Sequence, residues 1–200
     1  IVFLSSTGGG RGKKVVQGHM DGWHGRAFLC DGCQSYDWIA KMSDVTFCRC
    51  NAHCRRRFFE ALKENKKMAQ SVLAYYQKIY DVEAMIKSNG YKGKKIVEVR
   101  NELARPLWEV LLCYVSNNIS EVTENSLMFA AFNYFLSHYE SLTAYLNVAQ
   151  MPIDNNQVEA AIRQPVMGKK NYLFFQDDLQ CYYGAMMYSF FACCDSAGID

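Results

Sequence analysis

Proline and glycine are too few, at three and 13 in 200 residues, for a low-complexity linker or a collagen-like repeat. Long apolar runs are missing as well. The nearest, from Tyr182 to Cys194, is broken by Gly184 and Ser189, and it falls short of the roughly 20 residues a membrane span requires. No leader of the basic, apolar, small-residue kind opens the chain. It starts Ile1-Val2-Phe3-Leu4 without Met and stops at Gly198-Ile199-Asp200 after an apolar run, so both ends read as cut from a longer polypeptide. There is no internal repeat. Nine cysteines are an odd number in a chain too long for a disulfide scaffold, so they read as reduced thiols of a cytosolic protein. What is present is a globular composition: half the residues are hydrophobic and 21% are charged, enough to bury a sizeable core.

The net charge of +2 argues little for a polyanionic partner, but its distribution argues more. Residues 1–105 carry 19 of the 22 basic and 10 of the 20 acidic side chains, a net of +9. Residues 106–200 carry the other three basic and ten acidic side chains, a net of −7. One lobe that meets phosphate, or simply solvated helix faces, accounts for such a split.

Val2-Phe3-Leu4 is β-like and runs into a glycine-rich loop, Ser5–Gly12, followed by Lys13-Lys14. A phosphate-cradling P-loop needs Gly where Thr7 stands and Ser or Thr where Lys14 stands, so the segment predicts a mobile basic loop instead. Ala27-Phe28-Leu29-Cys30 predicts a buried strand ending at Asp31-Gly32, and Val45–Cys50 predicts a second, with a short helix from Tyr36 to Met42 between them. From Arg55 the apolar residues, among them Phe58, Phe59, Leu62, Ala69, Val72 and Tyr76, recur at three- and four-residue steps. Asn89-Gly90 ends that helical run and Lys92–Lys95 form a basic connector. A helix from about Glu98 to Val115 follows, with Pro106 kinking it or opening a new first turn. A third, aromatic helix spans Ser126 to about Leu146. Asp154 is placed as the N-cap of a helix through Arg163 that ends before Gln164-Pro165. A short apolar segment, Tyr172–Phe175, precedes a last helix from Gly184 to Ala197. The residues thus predict an α/β start, a long helical excursion and returning helices.

Two acids stand out by context. Asp31 ends an apolar strand beside Gly32, where backbone and ligand can approach closely, and Glu159 lies in the 154–163 helix with Arg163 one turn on. If sheet and helix are adjacent, the two carboxylates can share a hard divalent cation, which takes oxygen ligands and serves phosphodiester chemistry. A turn acid and a surface salt bridge are the plainer alternatives. A second constellation, Cys30, Cys33, Cys50 and His53, has the residue types of a zinc site, although strand neighbours such as Cys48 point to opposite faces. Arg55-Arg56-Arg57 opens a helix against the sign of its dipole, a cost that nearby phosphates or water offset.

Three blocks in this order carry a resemblance. Phe28-Leu29-Cys30-Asp31-Gly32-Cys33-Gln34-Ser35-Tyr36, Cys50-Asn51-Ala52-His53-Cys54-Arg55-Arg56-Arg57-Phe58-Phe59-Glu60-Ala61 and Ile153-Asp154-Asn155-Asn156-Gln157-Val158-Glu159-Ala160-Ala161-Ile162-Arg163 resemble the insertion-sequence-sixty-six family of bacterial transposases. The last block continues through Gly168-Lys169-Lys170-Asn171-Tyr172-Leu173-Phe174. Departures are Asn51 at the position of the signature Trp, Cys33 at that of the Tyr after Asp-Gly, and an altered segment at Gln180–Tyr183.

The resemblance implies an α/β, RNase H-like core, its first strands truncated, that cuts and joins DNA with an Asp-Asp-Glu triad and two Mg²⁺ or Mn²⁺ ions. On that reading residues 1–54 begin the catalytic core, 55–150 form an all-helical insertion, and 151–200 return to the core with the catalytic Glu. Asp31 matches the second Asp and Glu159 the Glu, both as catalytic residues and metal ligands. His53, Asn155 and Arg163 are expected near the site, and Arg55, Arg56, Arg57, Lys169 and Lys170 on the DNA backbone. The first Asp is expected upstream of Ile1, which leaves the fragment inactive alone. The partners implied are double-stranded DNA, at the element's terminal inverted repeats and at its target, and further copies of the protein on that DNA, in the bacterial cytoplasm and away from membranes. Two alternatives stand beside this: a cleavage-dead relic that binds DNA, and a zinc-stabilised binding module.

Overall fold

Strand is confined, among residues 12–172 and 175–199 that the computed structural model describes, to two four-residue segments. These are β1 (Ala27–Cys30) and β2 (Thr46–Arg49), paired in parallel with Ala27 opposite Thr46 and Cys30 opposite Arg49. Phe28 and Phe47 face each other in that register, their rings stacked at 6.3 Å. Helix takes 71% of the described residues and strand 4%. The α/β, RNase H-like core expected from the resemblance is therefore corrected: one parallel pair is no multi-stranded sheet, and the remaining apolar residues follow helical spacing. The residues between the strands form 3₁₀ turns at Gln34–Tyr36 and Ile39–Lys41 in place of one helix. Lys13 and Lys14, expected in a loop, open helix α1 (Lys13–His19). The expected Val2–Leu4 strand and the loop up to Arg11 lie outside the described residues.

Two units make up the chain: Gly25–Cys33 with Ile39–Asp154, and Ile1–His24 with Gln34–Trp38 and Asn155–Asp200. The first holds the aromatic core. Helices α2 (Asn51–Ala61), α3 (Lys66–Ser88), α4 (Lys94–Val99), α5 (Arg105–Asn118) and α6 (Leu127–Thr143) surround Phe58, Tyr76, Trp108, Phe132, Phe135 and Tyr145, each at most 1% exposed. Trp108 meets the Tyr76 ring edge-on at 5.4 Å and stacks on Phe135 at 6.1 Å, geometries worth about 0.5–1.5 kcal/mol per pair beyond the area buried.

The helix ends follow local chemistry. Asn65 caps α3 by accepting from the Met68 N–H at 3.1 Å, which splits the helical run expected from Arg55 into two. Ser126 caps α6 through the Phe129 N–H at 3.0 Å. Gly90 takes the left-handed φ of +63° that ends α3, as the Asn89-Gly90 pair suggested. Between α4 and α5 the backbone widens into a π-turn over Arg100–Ala104, and Pro106 lies in the first turn of α5. A proline has no N–H to donate one turn back, so the wide turn lets the chain continue in nearly one direction. Of the Phe58-Phe59 pair only Phe58 enters the core; Phe59 is 60% exposed, because consecutive helical residues point about 100° apart.

The second unit contains α1, α7 (Asn156–Tyr172) and α8 (Asp178–Ala197). Helix α7 does not stop before Pro165 but carries it inside and runs on to Tyr172. Gly168 lies where a Cβ would run into the Tyr188 hydroxyl, and the Tyr172 and Tyr188 hydroxyls are 3.3 Å apart. The absence of a side chain at Gly168 thus lets the two helices meet. Asp177 caps α8 through the Gln180 N–H at 2.7 Å, so that helix starts earlier than Gly184. No helix among the described residues is long and apolar enough to cross a membrane.

Arg100, 3% exposed, ties the first unit together. It forks onto Glu83 with contacts of 2.8 and 2.7 Å and donates to the Tyr145 and Val148 carbonyls at 3.0 and 2.9 Å. Truncating Arg100 to Ala leaves a carboxylate and two carbonyls without their donors, and is expected to cost about 3–5 kcal/mol in urea unfolding. The double replacement Arg100→Met, Glu83→Leu is expected to recover most of that loss; a double variant as unstable as the single would contradict this.

Candidate functional site

Asp31 leaves the tip of β1, and its Oδ1 accepts the Cys33 N–H at 3.0 Å, a local turn that restrains the carboxylate. The parallel pairing sets what lies beside it. The Cys50 N–H donates to the Cys30 carbonyl at 2.8 Å, and Cys50 is at once the N-cap position of α2. The strand ladder therefore runs directly into the helix, bringing the first turns of α2 next to the tip of β1.

Helix α2 has two faces. Asn51, Cys54, Phe58 and Ala61, at helical spacing, are fully buried. His53, Arg56, Arg57 and Glu60, at steps of three, one and three, form a second stripe. With Asp31, Gly32, Cys33 and Tyr134 of α6 they line a cleft of about 390 Å³. The Arg57 guanidinium lies over the Tyr134 ring, 4.1 Å from its centre. Among the described residues neither Arg56 nor Arg57 forms an ion pair. Arg55 points elsewhere, near enough to Tyr80 for its charge to oppose the upward push that burial and Asp154 give that phenol.

The buried face of α2 also fixes where the third sequence block begins. Asn51 Nδ2 donates to the Leu142 carbonyl at 2.9 Å and to the Ile153 carbonyl at 3.1 Å, and the Asn51 N–H donates to Ile153 as well, at 3.2 Å. One residue on, the Asp154 carboxylate accepts the Tyr80 hydroxyl at 2.8 Å. Helix α7 then starts at Asn156, with the Asn155 carbonyl accepting the Val158 and Glu159 N–H groups at 2.9 and 3.1 Å. Glu159 thus sits in the first turn, Arg163 one turn later, and Lys169 and Lys170 in the last turn, where cations suit the helix dipole.

Of the residues singled out from sequence, Asp31, His53, Arg56 and Arg57 come together in the cleft, while Glu159, Asn155, Arg163, Lys169 and Lys170 belong to α7 and its entry in the second unit. Glu60 and Tyr134 were missed. Glu60 could have been read from its seven-residue step beyond His53. Tyr134 carried no such signal, because it lies in a helix whose aromatics otherwise form core.

The four residues expected of a zinc site do not assemble among the described residues. All nine cysteines are free. Cys50 and His53 bring a sulfur and a ring nitrogen within 4.8 Å, yet among the described residues neither Cys30 nor Cys33 joins them at that distance. Burial pushes the Cys48 and Cys54 thiols up to about 12, so both stay protonated. Asp31 and Glu60 supply carboxylate oxygens to the cleft lining, ligands that suit a hard cation such as Mg²⁺.

Comparison with known proteins places the sequence beside mobile-element enzymes. The profile described as "Transposase IS66 family" matches residues 2–180. Three proteins of Sinorhizobium fredii are similar. "Uncharacterized protein y4hP" is 24% identical over 92% of this chain and 36% of its own length. "Uncharacterized protein y4qI" is 27% identical over 82% and 32%, and "Uncharacterized protein y4jD" 22% over 72% and 29%. The chain spans about a third of the length of these curated relatives. No solved structure matches.

Two outcomes follow from the buried face of α2. Asn51→Ala removes the side-chain donor from the Leu142 carbonyl and leaves Ile153 only the backbone N–H, and is expected to cost about 1–3 kcal/mol in urea unfolding; an unchanged midpoint would contradict the anchoring. The raised thiols carry a pH sign. The unfolded chain releases these protons near the ordinary thiol value of 9.0, whereas the folded chain holds them to about 12. Stability is therefore complete below pH 9 and falls as pH rises toward 12. A urea midpoint that stays level across that window would contradict the burial.

Proposed function

Because the chain belongs to the transposase IS66 family, we propose that the whole protein cuts and joins DNA phosphodiesters at the ends of an insertion sequence. Asp31 and Glu159 are its catalytic carboxylates and ligands of divalent metal. The observation that carries this reading is the cleft at the tip of β1. The Asp31 carboxylate lines it together with two guanidinium groups that form no ion pair among the described residues. That combination suits a phosphate accompanied by a cation, and neither a neutral metabolite nor a peptide calls for it.

The reaction is an in-line displacement. An oxygen of water or of a DNA 3′-OH forms a bond to phosphorus as the bond to the leaving 3′ oxygen breaks. The nucleophile's proton goes to solvent, and the leaving oxygen takes one up. Bound Mg²⁺ or Mn²⁺, two ions in the complete site, makes the nucleophile more acidic and stabilises the leaving oxygen. The chain's own residues do the rest. Asp31 is held in one orientation by the Cys33 N–H. Arg56 and Arg57 hold non-bridging phosphate oxygens, as guanidinium does well, and His53 shares their helical face as the near-site polar group. Arg55, Lys169 and Lys170 serve the DNA backbone, and Asn155 and Arg163 support the turn that bears Glu159. Contacts of this kind position DNA without reading its sequence. Strand transfer brings two element ends and a target together, so we assign the active form to more than one copy on DNA, in the bacterial cytoplasm.

Nicking of element-end DNA by the full-length protein tests the reading. Activity is expected to require Mg²⁺ or Mn²⁺. It is expected to fall by about a hundredfold or more in Asp31→Asn and in Glu159→Gln, since loss even of residues that only support metal ligands costs about 10- to 100-fold. Undiminished nicking in either variant, or salt-sensitive DNA binding without any metal-dependent nicking by the parent protein, would overturn it.

A further inference from the structure

We propose that Tyr134, on α6 and 103 positions after Asp31 in the sequence, is a positioning residue for DNA. Its ring holds the Arg57 guanidinium in place on the cleft wall for a backbone phosphate. The inference rests on the reading of DNA as the partner, and it extends that reading to a helix none of whose residues had been assigned a role.

Three observations converge on this tyrosine. The Arg57 guanidinium carbon lies 4.1 Å above the ring centre, close enough for a cation–π contact. The Tyr134 hydroxyl occupies the notch beside Asp31 that exists because residue 32 is glycine: a Cβ there would stand 2.9 Å from that oxygen. The ring also meets that of His138, one helical turn later, edge-on at 4.6 Å. The ring thus has neighbours at its hydroxyl and at its helical partner, and Arg57 rests on it.

The physical consequence is preorganisation. An unrestrained surface arginine has rotamer entropy to lose when it grips a phosphate. Arg57 is exposed and is held by no carboxylate among the described residues, so without the ring it would lose that freedom on binding. Stacking confines the guanidinium beforehand while leaving its N–H edge open, and affinity rises because less order remains to be imposed.

The experiment measures affinity of the full-length protein for a short mixed-sequence DNA duplex in EDTA, so that metal and Asp31 chemistry do not enter. Tyr134→Phe keeps the ring and is expected to bind within about twofold of the parent. Tyr134→Leu is expected to weaken binding about three- to tenfold, in the range of a cation–π contact, yet to cost nothing further in an Arg57→Ala background. Gly32→Ala, on the exposed turn, provides a second route should Tyr134→Leu fail to fold. It crowds the hydroxyl and is expected to weaken binding, and adding Tyr134→Phe, which removes that oxygen, is expected to restore it. Additive losses for Tyr134→Leu and Arg57→Ala, or no rescue of Gly32→Ala by Tyr134→Phe, would overturn the proposal. DNA binding that none of these changes affects, alongside metal-dependent nicking, would sink the role of Tyr134 and leave that of Asp31 standing.

Discussion

One short helix has to satisfy two environments, and the first unit is arranged around that constraint. Helix α2 follows β2 with only Cys50 between them, so its direction is set by the parallel ladder, and its eleven residues divide between a dry face and a wet one. On the dry face a buried amide, Asn51, has its donors placed on the carbonyls of Leu142 and Ile153. A polar group that deep is stable only when bonded, so it specifies a single position for the helix. The cationic stripe on the wet face inherits that position.

The helices after α2 belong to the same arrangement. Tyr80 of α3 holds the Asp154 carboxylate and Tyr134 of α6 lines the cleft, so two helices of the excursion touch the first and third sequence blocks directly. The Arg100–Glu83 fork, set where the backbone widens before Pro106, joins α3 to the carbonyls that follow α6. Buried ion pairs contribute little net stability but make rearrangement costly, because separating them strands a charge. A scaffold of this kind keeps a solvated, partly cationic cleft in one shape.

Local chemistry was legible in the residues and long-range pairing was not. The strand at Ala27–Cys30, the turn at Gly90, the helix start at Ser126 and the break in the helix at Pro106, read as a kink or a new first turn, all rest on rules that act within a few residues. Asp31, His53, Arg56 and Arg57 were legible because the motif sets them at a strand tip and on one helical face. The pairing of Tyr80 with Asp154 spans 74 positions, and nothing in local spacing encodes it. Tyr134 was hidden for a related reason: on an aromatic helix, periodicity does not separate a ring facing the core from one facing a cleft. The RNase H-like sheet came from the resemblance, helped by the alternation of strand and helix read at the start of the chain. The residues themselves suggested three strands, of which Ala27–Cys30 and the one within Val45–Cys50 are observed and Val2–Leu4 lies outside the described residues. Pro165 misled in the opposite sense, since the helix absorbs a residue that usually ends one.

The central claim is that the β1 tip offers its carboxylate to a divalent cation. Iron(II) with ascorbate, allowed to replace Mg²⁺ in the full-length protein, generates radicals that cut the backbone next to the ion. Cuts clustered at residues 31–33 and around Glu159, and suppressed by excess Mg²⁺, are the result this account predicts. Cuts that spare the Asp31 turn while falling reproducibly elsewhere would contradict it.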